Sequence, residues 1–450
     1  MQARTLLSPD AIRSDFSAAL SAMYRLEVPQ YGVLMELVAD INAKALAADP
    51  ALREALAAGD QIARLDQERH GAIRVGTEEE LALIARMFAV MGMAPVGYYD
   101  LAEAGVPVHS TAFRPVSDAA LAANPFRVFT SLLRLPLIED PALREAAAAI
   151  LGRRRIFTPR ALELLQRAEA QGGLDAEQAA AFVPALLDTF RWHGDATVDA
   201  ATYEHLLASH RLVADVVCFR GPHINHLTPR TLDIDAAQAE MPRRGIGAKA
   251  LIEGPPTRRH PILLRQTSFK ALEEPIAFAG AEGASGAHTA RFGEIEQRGA
   301  ALTRAGRALY NRLLNEARDG DVAAPYAERL VRAFEAFPDD LDAMRRTGLA
   351  FFRYRAVAAG DADAASQSID ELMARGIVQA EPITYEDFLP VSAAGIFRSN
   401  LGDASGPTYD APGSRAEFER ALGCAVHDEI ALYEEAEQRS IANVRAALVA

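Results

Sequence analysis

The sequence predicts an α+β fold: two paired βαβββ modules forming a curved central sheet, set among large helical additions. Three observations predict it. Residues 70–135 and 216–301 carry alternating or short continuous apolar runs bounded by Gly, Pro and polar turns, the pattern of strands. The segments before, between and after them carry helical spacing and helix-start signals. The two strand-rich stretches also align with each other. The interval from His70 to Thr111 equals that from His226 to Thr267, 41 residues in each (111 − 70 and 267 − 226).

Residues 1–69 read as helical. Ser8-Pro9-Asp10 supplies an N-cap with proline at the first helical position, and "YGVLMELVADINAKAL" continues the pattern. The first module spans 70–135. "HGAIRV" alternates as a strand. In "GTEEELALIARMFAVMG", Thr77 and Glu80 predict a capping box, Leu81, Ile84, Phe88 and Met91 share a face, and Gly92 ends the helix. "APVGYYDL", "VPVHSTAFRPV" and "FRVFTSLL" follow as strands.

Residues 136–215 form a helical insertion, with starts at Thr158-Pro159 and at an Asp175–Gln178 box. The second module spans 216–301: strand signal in "ADVVCFRGPHINHLTP", a short helix "DIDAAQAEM", then strands in "AKALIEG", "HPILLRQTSFKAL" and "ARFGEIEQRG". The Gly-rich "AGAEGASGAH" reads as a flexible connection. Residues 302–450 are mainly helical, interrupted by the irregular stretch 381–402.

With the histidines superposed, "MGMAPVGYYDL" faces "RGIGAKALIEG", "HSTAFRP" faces "RQTSFKA", and "FRVFTSLLR" faces "ARFGEIEQR", setting Thr130 opposite Glu294. Duplication accounts for this order. Identity between the copies is low, so coincidence of spacing is the competing reading.

Composition excludes several classes. Of 450 residues, 50% are hydrophobic and 24% charged, a globular balance, and the net charge is −14. An acidic chain without a Lys/Arg stripe is a poor fit to nucleic acid or anionic membrane. No run approaches the ~20 apolar residues that cross a bilayer. The start "MQARTLLSPDAIRSD" lacks the pattern of a secretion signal, and the expected location is cytoplasmic. Cys218 and Cys424 are too few for a disulfide framework or thiolate zinc site, and each reads as a buried small hydrophobe.

Residues two apart on a strand share a face, so His70, Ala72 and Arg74 point the same way. Glu294 and Glu296 likewise share a face of the last strand, and His223 falls on the face opposite His226. Two histidines and a carboxylate form the donor set of non-haem Fe(II) sites with open positions. The same set serves catalytic zinc. Each residue also has a plainer reading: a hydrogen-bonded core histidine, an arginine in a strand-end salt bridge, a solvated glutamate. Position in the repeat separates His70 and His226 from the other histidines. His205 and His210 read as helix-surface residues, and His193, His288 and His427 have polar surroundings. "GIGAKA" matches a dinucleotide fingerprint in letters, but follows a short helix and leads into a strand, so it reads as a turn.

Five longer motifs, "YRLEVPQYGVLMELV", "RHGAIRVGT", "GPHINHLTPR", "RQTSFKAL" and "RFGEIEQRGAALTRAGRALY", are similar to those of the 2-oxoadipate dioxygenase/decarboxylase (2-hydroxyglutarate synthase) family of the vicinal oxygen chelate superfamily. The resemblance runs over nearly the whole chain. It implies paired βαβββ modules, an Fe(II) cofactor on His70, His226 and Glu294, and Arg74 on the substrate carboxylate. It also implies substrate contacts at Val391 and Ser392 in "FLPVSAAGIF" and, on weaker grounds, at Gln266. The implied reaction takes 2-oxoadipate and O2 to D-2-hydroxyglutarate and CO2, a step of lysine breakdown. Two rivals are a zinc-dependent lyase or isomerase of the glyoxalase kind on the same scaffold, and a non-catalytic acidic scaffold protein. The sequence carries no signal for oligomeric state.

Overall fold

The computed structural model describes residues 5–449 except 59–60, 103–104, 250, 270, 281–284, 290, 320–323, 360–363 and 390–411. The chain is a mixed α+β protein and divides into two compact units. One comprises residues 1–251, 267–295 and 390–426, the other 252–266, 296–389 and 427–450.

In the first unit the strands and the helix read in 70–135 form, with a further short helix, Asp118–Ala123, before the last strand. β1 (Arg69–Val75), the helix Glu78–Val90, β2 (Ala94–Asp100), β3 (Val108–Arg114) and β4 (Arg127–Leu133) follow in order. With β5 (His226–Pro229) they make a five-stranded sheet of order β2-β3-β4-β1-β5, in which β1 runs parallel to β4 and antiparallel to β5. The helix buries Leu81, Ile84, Met87 and Phe88, and the Phe88 ring meets Phe113 of β3 edge-on at 5.1 Å. Such aromatic contacts add to the area removed from water. The Thr77 hydroxyl caps this helix, but the expected box is half formed. Glu80 instead accepts from the Gly76 N–H and from Arg154, because a buried carboxylate is better satisfied by a guanidinium than by one more amide.

The N-terminal helices Pro9–Glu27 and Pro29–Ala48 form as read, the first capped by Ser8. Helices Pro159–Gln171 and Ala176–Leu187 begin at Thr158 and at a complete Asp175–Gln178 box.

The second strand-rich stretch is less regular. It contains β5, the helix Ile234–Glu240, β6 (Leu264–Ser268) and β9 (Glu294–Arg298), with β6 paired to β9 in a ladder of its own. "AKALIEG" is not a strand, a correction to the sequence reading. Its described residues make isolated bridges, Ala248 to Phe269 and Glu253 to Gln266. Nor is the Gly-rich stretch merely a connection. Its end is β8 (Ser285–His288), paired antiparallel with β7 (Glu274–Ala277). Glycine suits this strand locally: a Cβ on Gly286 would lie 2.9 Å from the Phe278 ring. "GIGAKA" is a turn as read, with Gly245 at φ +75° closing the 3-10 turn Met241–Arg244.

In the second unit the helices Arg304–Asp319, Tyr326–Phe334 and Glu429–Val449 agree with the helical reading. An unexpected antiparallel pair, β10 (Phe352–Ala356) and β11 (Val378–Pro382), packs on the last helix. There Glu437 and Ser440 accept from the Phe352 and Tyr354 N–H groups. Among the described residues no helix is long and apolar enough to cross a membrane. Cys218 is buried as expected, whereas Cys424 is exposed, because it follows Gly423, whose left-handed φ of +80° ends the helix Pro412–Leu422.

Candidate metal centre

The β1–β5 register builds one side of the centre. His226 lies opposite Ala72, and Thr228 lies opposite His70. Side chains at opposed positions point to the same face, so His70, Ala72, Arg74, His226 and Thr228 share one side of the sheet. The small Ala72 leaves room between the larger groups. Glu294, the first residue of β9, completes the set. Its Oε2 is 3.2 Å from His70 Nε2 and 3.6 Å from His226 Nε2. The two imidazoles stand edge to face, 5.5 Å between centroids. All three residues are fully buried, and their donor atoms lie within 4.8 Å of one another.

Tyr24 of the first helix ties the two ligand-bearing segments together. Its hydroxyl donates to the Phe292 carbonyl at 2.7 Å and lies 3.1 Å from that of Asn225, the residues just before Gly293-Glu294 and His226. The Phe292 N–H also donates to the Asn225 carbonyl. Thr228 Oγ1 donates to Glu294 Oε2 at 3.1 Å and so orients the carboxylate. The Phe292 ring packs 4.8 Å from that of His226 and makes an apolar wall. Next to His70 lies a cluster of charges: Glu68 accepts from Arg64, Arg127 and Arg230, all buried.

These three residues suit a divalent transition metal. Neutral imidazoles and one carboxylate make a borderline donor set. Ligands ~2.1 Å from one ion at roughly right-angled to tetrahedral positions stand about 3.0–3.5 Å apart, close to the observed spacings. Glu296 is not part of the group. It is buried and paired with Arg298 through both carboxylate oxygens, at 2.8 and 2.9 Å.

Arg74 is mostly buried, and its Nη1 donates to Asp215 Oδ2 at 2.6 Å. Asp215 Oδ1 in turn faces His288 Nε2 at 3.0 Å and His223 Nε2 at 3.2 Å. Burial pushes the Asp215 carboxyl upward. The charges of His223 and Arg74 and the hydrogen bonds from both histidines outweigh this, holding it well below the usual carboxylate range. No sequence signal marked Asp215, which sits on an apolar helix, Arg211–Val217. His288 corrects the reading of polar surroundings: it is 1% exposed, between Tyr203, Trp192 and Phe219, because β8 folds inward against the helical insertion. His205 is exposed as read. His210 is half-buried and caps the helix Arg211–Val217, its Nδ1 accepting from the Leu212 N–H. Thr228 was legible in principle, two positions beyond His226 on the same face. Gln266 is buried on β6 in the second unit, its backbone paired with Glu253. Val391 and Ser392 lie outside the described residues.

A family model described as 2-oxoadipate dioxygenase/decarboxylase matches residues 16–400. Proteins of that name from Pseudomonas putida and Escherichia coli are each 59% identical to the chain. The alignments cover 98% of this chain and 97% of the first protein, and 96% and 98% for the second. One from Mycobacterium tuberculosis is 42% identical over 95% of this chain and 97% of its own. The crystal structure of the hydroxyglutarate synthase in complex with 2-oxoadipate from Pseudomonas putida superposes with a TM-score of 0.94 at 57% identity, covering all of both chains.

Proposed function

The chain belongs to the 2-oxoadipate dioxygenase/decarboxylase family, and on that premise we propose that it converts 2-oxoadipate and O2 to D-2-hydroxyglutarate and CO2. Carbon 1 of the six-carbon acid leaves as CO2. One atom of O2 enters the new carboxyl group and the other becomes the hydroxyl on the adjacent carbon, so atoms balance. A cytoplasmic setting in lysine breakdown belongs to the same proposal, as does the origin of the two strand-rich stretches by duplication.

The observation that carries this reading is the meeting of His70, His226 and Glu294 in one buried group. These three residues would hold Fe(II), which supplies chelation of a 2-oxo acid and activation of O2. The protein does the rest. Thr228 keeps the Glu294 carboxylate aimed. Phe292 and the buried strand face exclude water, which strengthens electrostatic contacts inside. Arg74, on the same face as His70, binds the distal carboxylate through its planar fork and presents one carbon of the chain to oxidation.

The test is anaerobic loading with Fe(II), then measurement of O2 uptake and CO2 release with 2-oxoadipate. We expect one O2 consumed and one CO2 released per hydroxy acid formed, with iron and not with zinc. Turnover with zinc and no O2 uptake would replace this reading with a lyase or isomerase.

A further inference from the structure

We propose that Asp215 is a positioning residue that sets the accepted length of the substrate by fixing the Arg74 guanidinium; this rests on the reading of Arg74 as the group that binds the distal carboxylate.

Asp215 is an expensive residue where it stands. It is 5% exposed and lies in the last turn of the helix Arg211–Val217, where the helix dipole disfavours an anion. Its two oxygens have separate duties. Oδ2 takes the Arg74 Nη1 hydrogen bond at 2.6 Å, and Oδ1 faces both His288 and His223. The histidines are themselves held. Tyr203 Oη lies 2.9 Å from His288 Nδ1, so one tautomer serves both contacts of that ring, donating Nε2–H to Asp215 and accepting from Tyr203. Trp192 stacks parallel to His288, with 6.0 Å between centroids, and meets His223 edge-on at 4.7 Å.

The chain of support therefore runs from Trp192 and Tyr203, through His223 and His288, to Asp215 and then Arg74. It joins β1 to the helical insertion and to the β7–β8 hairpin, which gives the insertion a task at the site. Arginine carries many rotamers, and a hydrogen bond to an anchored carboxylate removes most of them. A fixed guanidinium at a set distance from His70 accepts a dicarboxylate of one length. A loose one follows shorter or longer chains.

The experiment compares kcat/KM for 2-oxoglutarate, 2-oxoadipate and 2-oxopimelate, and for the monoacid 2-oxohexanoate, in wild type, Asp215→Asn, Asp215→Glu, Arg74→Ala and the Asp215→Asn/Arg74→Ala double variant. Metal content and melting are measured alongside. We expect both Asp215 variants to bind metal as wild type does. Their preference for the best diacid over its neighbours should fall by about tenfold or more, with 2-oxohexanoate changed by no more than about twofold, since misplacing a positioning group costs orientation rather than chemistry. Asp215→Asn should add nothing once Arg74 is gone. If Asp215→Asn does not fold, Asp215→Glu, which keeps the charge and moves it, decides alone. An unchanged length preference, or an equal loss on all four substrates, overturns the role of Asp215 while Arg74→Ala remains selective against diacids. Equal loss on 2-oxohexanoate in Arg74→Ala overturns the reading of Arg74 itself, and with it this inference.

Discussion

His70 Nε2 and Glu294 Oε2 stand 3.2 Å apart although 224 positions separate them in sequence. A contact of that span exists only because β9 is brought onto the face shared by β1 and β5, and its two ends are the residues we assign to metal. His70→Ala, His226→Ala and Glu294→Ala should each abolish turnover and bound iron while the fold persists. Thr228→Val should weaken metal affinity by roughly 10–100-fold, the scale of losing a group that orients a ligand. Glu296→Ala should leave metal content unchanged but lower stability by about 3–5 kcal/mol, because Arg298 is left buried without its carboxylate. Metal analysis and urea unfolding of the five variants decide this. Loss of metal in Glu296→Ala with retention in Glu294→Ala would move the ligand by one strand period.

Arg74 gives a substrate-dependent prediction. Losing one partner of a desolvated charge pair costs on the order of 2–5 kcal/mol, so Arg74→Ala should lower kcat/KM for 2-oxoadipate by roughly 30-fold or more. Arg74→Lys should also be poor, since an ammonium keeps the charge and loses the fork. Iron content should match wild type in both. A monoacid of equal length should be a weak substrate whose rate hardly responds to either change.

Two glycines beside ligands are sterically required. A Cβ on Gly71 would lie 2.6 Å from Ile224 Cδ1 and 3.0 Å from the His226 carbonyl, and one on Gly293 would lie 2.0 Å from the Phe269 ring. Gly71→Ala and Gly293→Ala should therefore push β5 or β9 outward, costing about 1–3 kcal/mol as overpacking does and weakening iron binding. Gly152, with nothing within 4 Å of its Cβ position, is the control. Gly152→Ala should be neutral or stabilising by up to ~1 kcal/mol. Melting curves and iron titrations compare the three; wild-type iron affinity in Gly71→Ala would refute the steric account.

His109, on β3 against Phe418, is held down to about 4, by burial first and by Arg134 second, with Asp100 opposing. Between pH ~6.5 and ~4 the unfolded chain takes up a proton that the folded chain declines. Its contribution is thus fully present above the unfolded pKa and is lost as pH falls through that window, by up to on the order of 3 kcal/mol. The stability difference between pH 7 and pH 4.5 should shrink in His109→Gln relative to wild type, as read by urea midpoints. An equal difference in the two proteins would remove His109 from the acid response.

Local patterns made much of this molecule legible. The caps at Ser8, Thr158 and Asp175 are where the sequence puts them, because a cap is decided by residues three apart. The module 70–135 folds strand by strand as its apolar periodicity predicts. Matched positions in the two strand-rich stretches singled out His70 and His226, the family resemblance put Glu294 ahead of Glu296, and the fold gathers the three into one group. Where side-chain pattern was weak, the reading failed: the described residues of "AKALIEG" pair at isolated points, and a Gly-rich run became β8, since ladder hydrogen bonds need backbone and not side chains.

By itself the sequence determined which segments are helix or strand in the first module and which face of β1 carries His70, Ala72 and Arg74, because both follow from periods of 2.0 and 3.6 residues. Only the tertiary structure decided that Asp215, 141 positions beyond Arg74, receives its guanidinium, and that His288 is buried against the same carboxylate. These partners are chosen by the path of the chain: burying an ion demands a counter-ion, and which one arrives depends on which distant elements the hydrophobic core packs alongside.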